Sequence, residues 1–185
     1  ALSLFGLVPI ESGEILIDGR PVRIDTPQDA IRNGVAYVPE DRLTEGLFLE
    51  QSIERNVSIS GLPTWTGRLG WLDFSQMRQV VRSWISDLNI KISSLGLPVC
   101  TLSGGNQQKV VLAKWLATEA RLLILNSPTV GIDIGAKEEI HRKIQDLARD
   151  GIGVLVISDD LSELCSNCNR ILLIHRGRLI EEFDT

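Results

Sequence analysis

The sequence predicts an α/β fold: a mostly parallel sheet flanked by helices, with a helical subdomain. Three observations lead there. From residue 102 onward, strands of four to six apolar residues alternate with helix-period segments, a pattern that requires a parallel sheet covered on both faces. The middle of the chain instead carries an amphipathic helical repeat and three of the four Trp. The 185 residues, 43% hydrophobic and 23% charged, suffice for a full-sized core with a small subdomain.

Taken in order, Gly13 to Ile24 alternates Ile15 and Ile17 with polar neighbours, turns at Asp18-Gly19 and resumes at Val22, the pattern of a hairpin. A short helix follows, with Thr26 as cap, Pro27 in the first turn and Gly34 as stop. "VAYV" is a short buried strand that runs into a polar loop at Pro39. The turn-rich "GLPTWTGRLG" precedes a helix with Met77, Val80, Val81, Trp84, Ile85 and Leu88 on one face, capped by Ser75 or Asp73. Ser103-Gly104-Gly105 starts a helix expected to reach Ala120, and "RLLIL" is a buried strand. The next helix turns Ile140, Ile144 and Leu147 inward and stops at Gly151. "GVLVIS" reads as a second buried strand, "LSELCSNC" as a helix, and "RILLIH" as a third strand turning at Gly177.

The net charge of -5 argues against a generic nucleic-acid binder, whose surface would be basic. No apolar run approaches the roughly 18 residues of a membrane span. Cys100, Cys165 and Cys168 make an odd set suited to a reducing compartment. Cys165 and Cys168 have C-x-x-C spacing, but only His141 and His175 remain as nitrogen donors, so no metal site is expected and the cysteines are read as packed against a sheet. Residue 1 is Ala and the only Met is Met77, so a longer parent chain is expected.

The chemistry sits in the last half. Ser103 with two glycines leaves unobstructed N–H groups at the head of a helix, a place suited to a phosphate; a plain Ser cap is the alternative. One helix later, a buried strand ends on Asn126-Ser127-Pro128-Thr129, followed by Gly131 and Asp133. This order resembles the nucleotide-binding domains of ABC transporters, P-loop NTPase-like proteins in which "LSGG(N/Q)QQ" is the signature motif and the following strand is Walker B. "LSGGNQQK", "GIDIGAK", "YVPEDR" and "IHRGRL" narrow the likeness to the second half of the tandem ATPase subunit of bacterial monosaccharide importers, over essentially the whole chain.

The resemblance implies a signature at Ser103, Gly104 and Gly105 with Gln107 beside it, the Q-loop residue at Glu40, and the D-loop acid at Asp133. Walker B would end at Asn126, the catalytic base position is Ser127, and the switch histidine position is Asp159. All three of these depart from the family pattern. Asn126 lacks the anionic oxygen that Mg²⁺ prefers. Ser127 is too weakly basic to activate water. Asp159 would repel a γ-phosphate. A phosphate-cradling loop with its lysine is absent, the first lysine being Lys91; the resemblance puts that loop before Ala1.

It also divides the chain into a partial nucleotide-binding core at 1–44, a helical subdomain at 45–98, and a part at 99–185 holding the signature, Walker B strand and D-loop. The implied function is an ATP-binding domain of a sugar importer that supplies its signature in trans to a partner's ATP and Mg²⁺, its own site being inactive. Implied partners are a homologous nucleotide-binding domain, transmembrane permease subunits and, indirectly, a periplasmic sugar-binding protein. The location would be peripheral, on the cytoplasmic face of a bacterial inner membrane. The second reading is a non-catalytic remnant or regulatory fragment. A DNA-repair ATPase with the same signature fits less well, because the short middle segment leaves no room for its coiled-coil insertion.

Overall fold

The computed structural model describes residues 1–67 and 70–185. Strands β1 (Ile15–Ile17) and β2 (Arg20–Val22) pair antiparallel, Ile15 opposite Val22. Asp18 and Gly19 between them have φ of 52° and 72°, the left-handed pair that a two-residue hairpin turn requires. Helix α1 (Pro27–Arg32) opens on Thr26: its hydroxyl accepts from the Asp29 amide, and the Asp29 carboxylate accepts from the Thr26 amide.

The sheet that follows has the order β3-β4-β5 and is parallel throughout: β3 (Val35–Val38), β4 (Leu122–Asn126) and β5 (Gly153–Ile157). Val38 lies beside Leu125, and Leu125 beside Val156. β4 is central, and Leu123, Ile124 and Leu125 are fully buried. Burying each such side chain contributes about 1.5–3 kcal/mol. Helix α4 (Gly104–Leu116) packs against β3, and α5 (Ile134–Arg149) against β5 and α4. β5, expected as buried, is a half-buried edge strand among the described residues.

Between β3 and α4 lie a π-helical turn (Arg42–Gly46), α2 (Ile53–Ser58), a 3₁₀ segment (Ile59–Trp65), α3 (Phe74–Asp87) and a second 3₁₀ turn (Val99–Thr101). Asp73 rather than Ser75 caps α3, accepting from the Ser75 and Gln76 amides. Met77, Val81, Ile85 and Leu88 are buried and join Ile53, Val57 and α4 in a core continuous with that of the sheet. The turn-rich stretch expected at 61–70 includes Arg68 and Leu69, which lie outside the described residues.

Three expectations need correction. α4 ends at Leu116 rather than Ala120, because the Thr118 hydroxyl takes up the Trp115 carbonyl and Glu119 turns left-handed at φ 58°. The third strand, β6 (Arg170–His175), does not join the parallel sheet. It pairs antiparallel with β7 (Arg178–Asp184) across the left-handed Arg176-Gly177 turn, and Leu172, Leu173 and Ile174 stay exposed. Two of the three cysteines are not packed away: Cys165, on α6 (Leu161–Asn167), and Cys100 are exposed, while Cys168 is half-buried. No helix among the described residues is long and apolar enough to cross a membrane.

Candidate functional site

The parallel register brings four of the expected positions to one edge. Glu40, Asn126, Ser127 and Asp159 lie at or just past the carboxyl ends of β3, β4 and β5, where open α/β sheets bind their ligands. Glu40 and Asp159 are exposed, each on a bend. Asn126 closes β4, and its side-chain nitrogen reaches the Tyr37 hydroxyl at 3.5 Å, a weak contact. Ser127 is left-handed at φ 49°, a strained conformation for a residue with a side chain, and its amide donates to the Ile157 carbonyl at 2.8 Å.

The second group gathers at the head of α4. Ser103 occupies the cap position, but its side chain accepts from no backbone amide of the first turn. Its hydroxyl instead accepts from the Asn106 side-chain amide at 3.1 Å, and Asn106 in turn accepts from the Lys91 backbone at 3.1 Å. The hydroxyl proton of Ser103, exposed at the surface, is thus available to an outside acceptor. Gly104 and Gly105 are shaped by close neighbours. A Cβ at Gly104 would stand 2.9 Å from Arg42 Nη2, and one at Gly105 would stand 2.5 Å from the Ala136 Cβ of α5 and 3.7 Å from Asp133 Oδ2. Asp133 caps α5 by accepting from the Ala136 amide at 2.9 Å. Ser103, Gly104, Gly105 and Asp133 therefore form one cluster where α4 meets α5.

Gln107 does not join it. The residue is buried and donates to the Val99 carbonyl at 3.4 Å, inside the core. The amide that bonds Ser103 is that of the neighbour of Gln107, Asn106. Its signal is present in the sequence as Ser-x-x-Asn, the spacing at which the third helical residue reaches back to the cap. Arg42 also escapes the sequence reading: it donates Nη1 to the Val130 carbonyl and Nη2 to the Gly131 carbonyl, both at 3.1 Å.

A buried polar cluster backs the sheet edge. Glu163 accepts from the Thr129 and Ser158 hydroxyls, both at 2.6 Å, and pairs with His141 Nε2 at 2.5 Å. Burial works to raise its carboxyl, and the bonds from Ser158, Thr129 and His141 outweigh this and hold it below the usual glutamate range. Thr129 follows β4 and Ser158 follows β5, so one carboxylate ties the two strand ends together.

The two groups differ in what they can bind. At the α4 head, backbone N–H groups that have no intrahelical acceptor, the helix dipole and the Ser103 hydroxyl all suit a phosphate oxygen. The end of β4 does not suit Mg²⁺, since Asn126 and Ser127 offer only neutral oxygens. Neither can serve as a general base for water.

The ABC transporter family model matches residues 1–130. The chain is similar to the ribose import ATP-binding protein RbsA 1 of Streptomyces coelicolor, 46% identical over 98% of this chain and 36% of that protein. It is likewise similar to the RbsA of Geobacillus kaustophilus, 45% identical over 96% of this chain and 36% of that protein. A putative ribose/galactose/methyl galactoside import ATP-binding protein of Agrobacterium fabrum is 40% identical over 100% and 37%, respectively. The chain thus spans little more than a third of the length of these curated relatives. Among solved structures, cbiO1 from Clostridium perfringens, part of the ABC transporter complex cbiONQ, superposes with a TM-score of 0.79 at 22% identity, over 99% of this chain and 70% of that one. A dimeric ATP-binding cassette bound to ADP and Pi gives 0.81 at 20% identity, over 99% and 78%. The fold is that of the P-loop NTPase-like ABC domain.

Proposed function

The chain belongs to the ABC transporter family, and from that premise we infer that it is an ATP-binding domain of a sugar import system. It serves in trans, presenting Ser103, Gly104 and Gly105 to an ATP and Mg²⁺ held by a partner nucleotide-binding domain. The observation that carries this reading is the head of α4. Ser103 is exposed and bonded to Asn106 instead of capping its helix, so its hydroxyl proton stands free at the N-terminal end of α4, where the helix dipole is positive. Oriented donors of this kind act on the charge that develops in the transition state, and removing one typically costs roughly 10²–10³ in rate.

The chain's own sheet edge is catalytically silent, with Asn126, Ser127 and Asp159 in the places of the metal-binding acid, the base and the switch histidine. Residues 45–98 act as a helical subdomain, and Glu40 lies on the loop that meets the permease subunits. The assembly works at the cytoplasmic face of the bacterial membrane and receives its sugar through a periplasmic binding protein. The similarity to ribose import ATP-binding proteins supports the substrate class.

The test is ATP hydrolysis by the full-length subunit assembled with its permease. Ser103→Arg should abolish turnover, and Ser127→Ala should leave it unchanged. Full activity in Ser103→Arg would refute the trans role. A large loss in Ser127→Ala would show that the domain's own site is live.

A further inference from the structure

Arg42 joins three segments that are far apart in the chain. It opens the π-helical turn Arg42–Gly46, just past Glu40, and its guanidinium reaches across to the turn after β4, donating to the Val130 and Gly131 carbonyls at 3.1 Å each. A planar fork is the side chain that can serve two adjacent carbonyls at once. The third segment is the head of α4. The guanidinium runs so close to it that a Cβ at Gly104 would stand 2.9 Å from Nη2, and a Cβ at Gly131 would stand 3.4 Å from Nη1. Two glycines, one from each neighbouring segment, open the slot that the guanidinium fills. Its Nε is buried and has no partner among the described residues, so the two carbonyls alone set the orientation of the fork.

The base of Arg42 is as firmly held as its tip. Asp41 caps the turn, accepting from the Leu43 and Thr44 amides, and the Thr44 hydroxyl holds the Asp41 carboxyl below the usual range. At the other end of the turn, the Gly46 carbonyl accepts from Lys114 Nζ at 2.9 Å, and Gly46 lies against Val111. Lys114 and Val111 both belong to α4. The turn is therefore fastened to the body of α4 while its arginine grips the segment that leads to Asp133.

We propose that Arg42 is a positioning residue for the trans reaction. It holds the 128–133 turn against the head of α4, so that Ser103 and Asp133 reach the partner's nucleotide at a fixed separation. A shift of the loop bearing Glu40 is thereby passed to both. This rests on the trans reading and is tested with it.

The experiment measures ATP hydrolysis by the full-length subunit assembled with its permease, for Arg42→Ala, Arg42→Lys and Ser103→Arg. Arg42→Ala should lower kcat roughly 10- to 100-fold, the loss expected for a displacement of about 1 Å. KM for ATP should be unchanged if Arg42 acts through the Val130 and Gly131 carbonyls that it holds, and not on the nucleotide itself. Arg42→Lys should fall between, since an ammonium cannot fork to both carbonyls. Guanidinium chloride below denaturing concentration should restore part of the rate of Arg42→Ala and none of that of Ser103→Arg. A strut that merely stabilised the fold would lower the melting temperature without giving this pattern of kcat loss and guanidinium rescue. Wild-type kcat in Arg42→Ala, with Ser103→Arg inactive, overturns the role of Arg42 and leaves the trans reading standing. An active Ser103→Arg overturns both. Should the alanine variant fail to assemble, Arg42→Lys decides alone, and wild-type kcat there overturns the inference.

Discussion

Gly105→Ala separates two reasons for a glycine at the head of α4. Within a helix, Gly→Ala ordinarily stabilises by about 0.5–1 kcal/mol, because alanine loses less conformational freedom on folding. If Gly105 were present only to let a phosphate approach, the free protein should gain that amount. The packing predicts the opposite sign. The new Cβ would lie 2.5 Å from the Ala136 Cβ, a methyl fixed to the backbone of α5 that cannot swing away. Carbon atoms sit comfortably at about 3.5–4.0 Å, so α4 and α5 must part by roughly 1 Å. Overpacking of this kind typically costs about 1–3 kcal/mol. Urea denaturation should therefore show a lower midpoint at unchanged slope. Ala136→Gly added to Gly105→Ala removes the clashing methyl and should recover most of the loss, apart from the roughly 1 kcal/mol that a glycine costs in a helix. A raised midpoint for Gly105→Ala, or no recovery in the double variant, would refute the argument. The same displacement moves Ser103 relative to Asp133, so turnover in the assembled transporter should fall with stability.

Glu163 supplies a pH test. Its folded pKa is depressed, so the folded state binds fewer protons than the unfolded chain; the stabilisation is present above the ordinary glutamate pKa of 4.5 and is lost as pH falls through the folded value. Glu163→Gln should flatten the acid side of the stability profile measured by thermal melting, and an unchanged profile would count against the cluster. Glu163→Ala should cost about 3 kcal/mol, because it strands the Thr129 and Ser158 hydroxyls. Ile124→Ala, at a fully buried position in the central strand, should cost about 2–5 kcal/mol by chemical denaturation.

The local patterns are legible where the signal is local. The Thr26 cap, the Asp18-Gly19 turn and the inward face of α5 each depend on residues within one or two turns of one another. β6 is misread because an apolar run reports hydrophobicity but not its neighbour: the tight turn at Arg176-Gly177 hands it to β7 and keeps it out of the parallel sheet. Ser103, Gly104, Gly105 and Asp133, which the fold brings together where α4 meets α5, can be proposed from order alone. Arg42 cannot, because its partners are backbone carbonyls 88 and 89 residues away, and a carbonyl leaves no mark in a sequence. That Asn106 and not Gln107 bonds Ser103 is hidden from the sequence for a related reason. Both are amides beside the serine, and only the burial of the helix decides which one faces outward.

That burial explains the odd composition of α4. Gln107, Gln108, Lys109 and Lys114 would suit a surface helix, yet all four are buried. Three of them meet a different part of the molecule. Gln107 bonds the 3₁₀ turn at Val99, Lys109 bonds the Asn89 carbonyl past α3 and pairs with Glu139 of α5, and Lys114 bonds Gly46 in the turn that carries Arg42. A buried polar group is costly unless it finds its partner, so each of these bonds penalises movement of α4 relative to the segment it holds. The fully buried Val110, Val111, Leu112 and Ala113 already resist sliding by close packing, and the polar bonds add direction to that resistance. With a lysine anchored in each of two other segments, the head of α4 is registered against both the loop after β3 and the helix that begins at Asp133. The polar residues in the interior of α4 thus help to define where Ser103 stands, because leucines at the same positions would make none of these directional bonds.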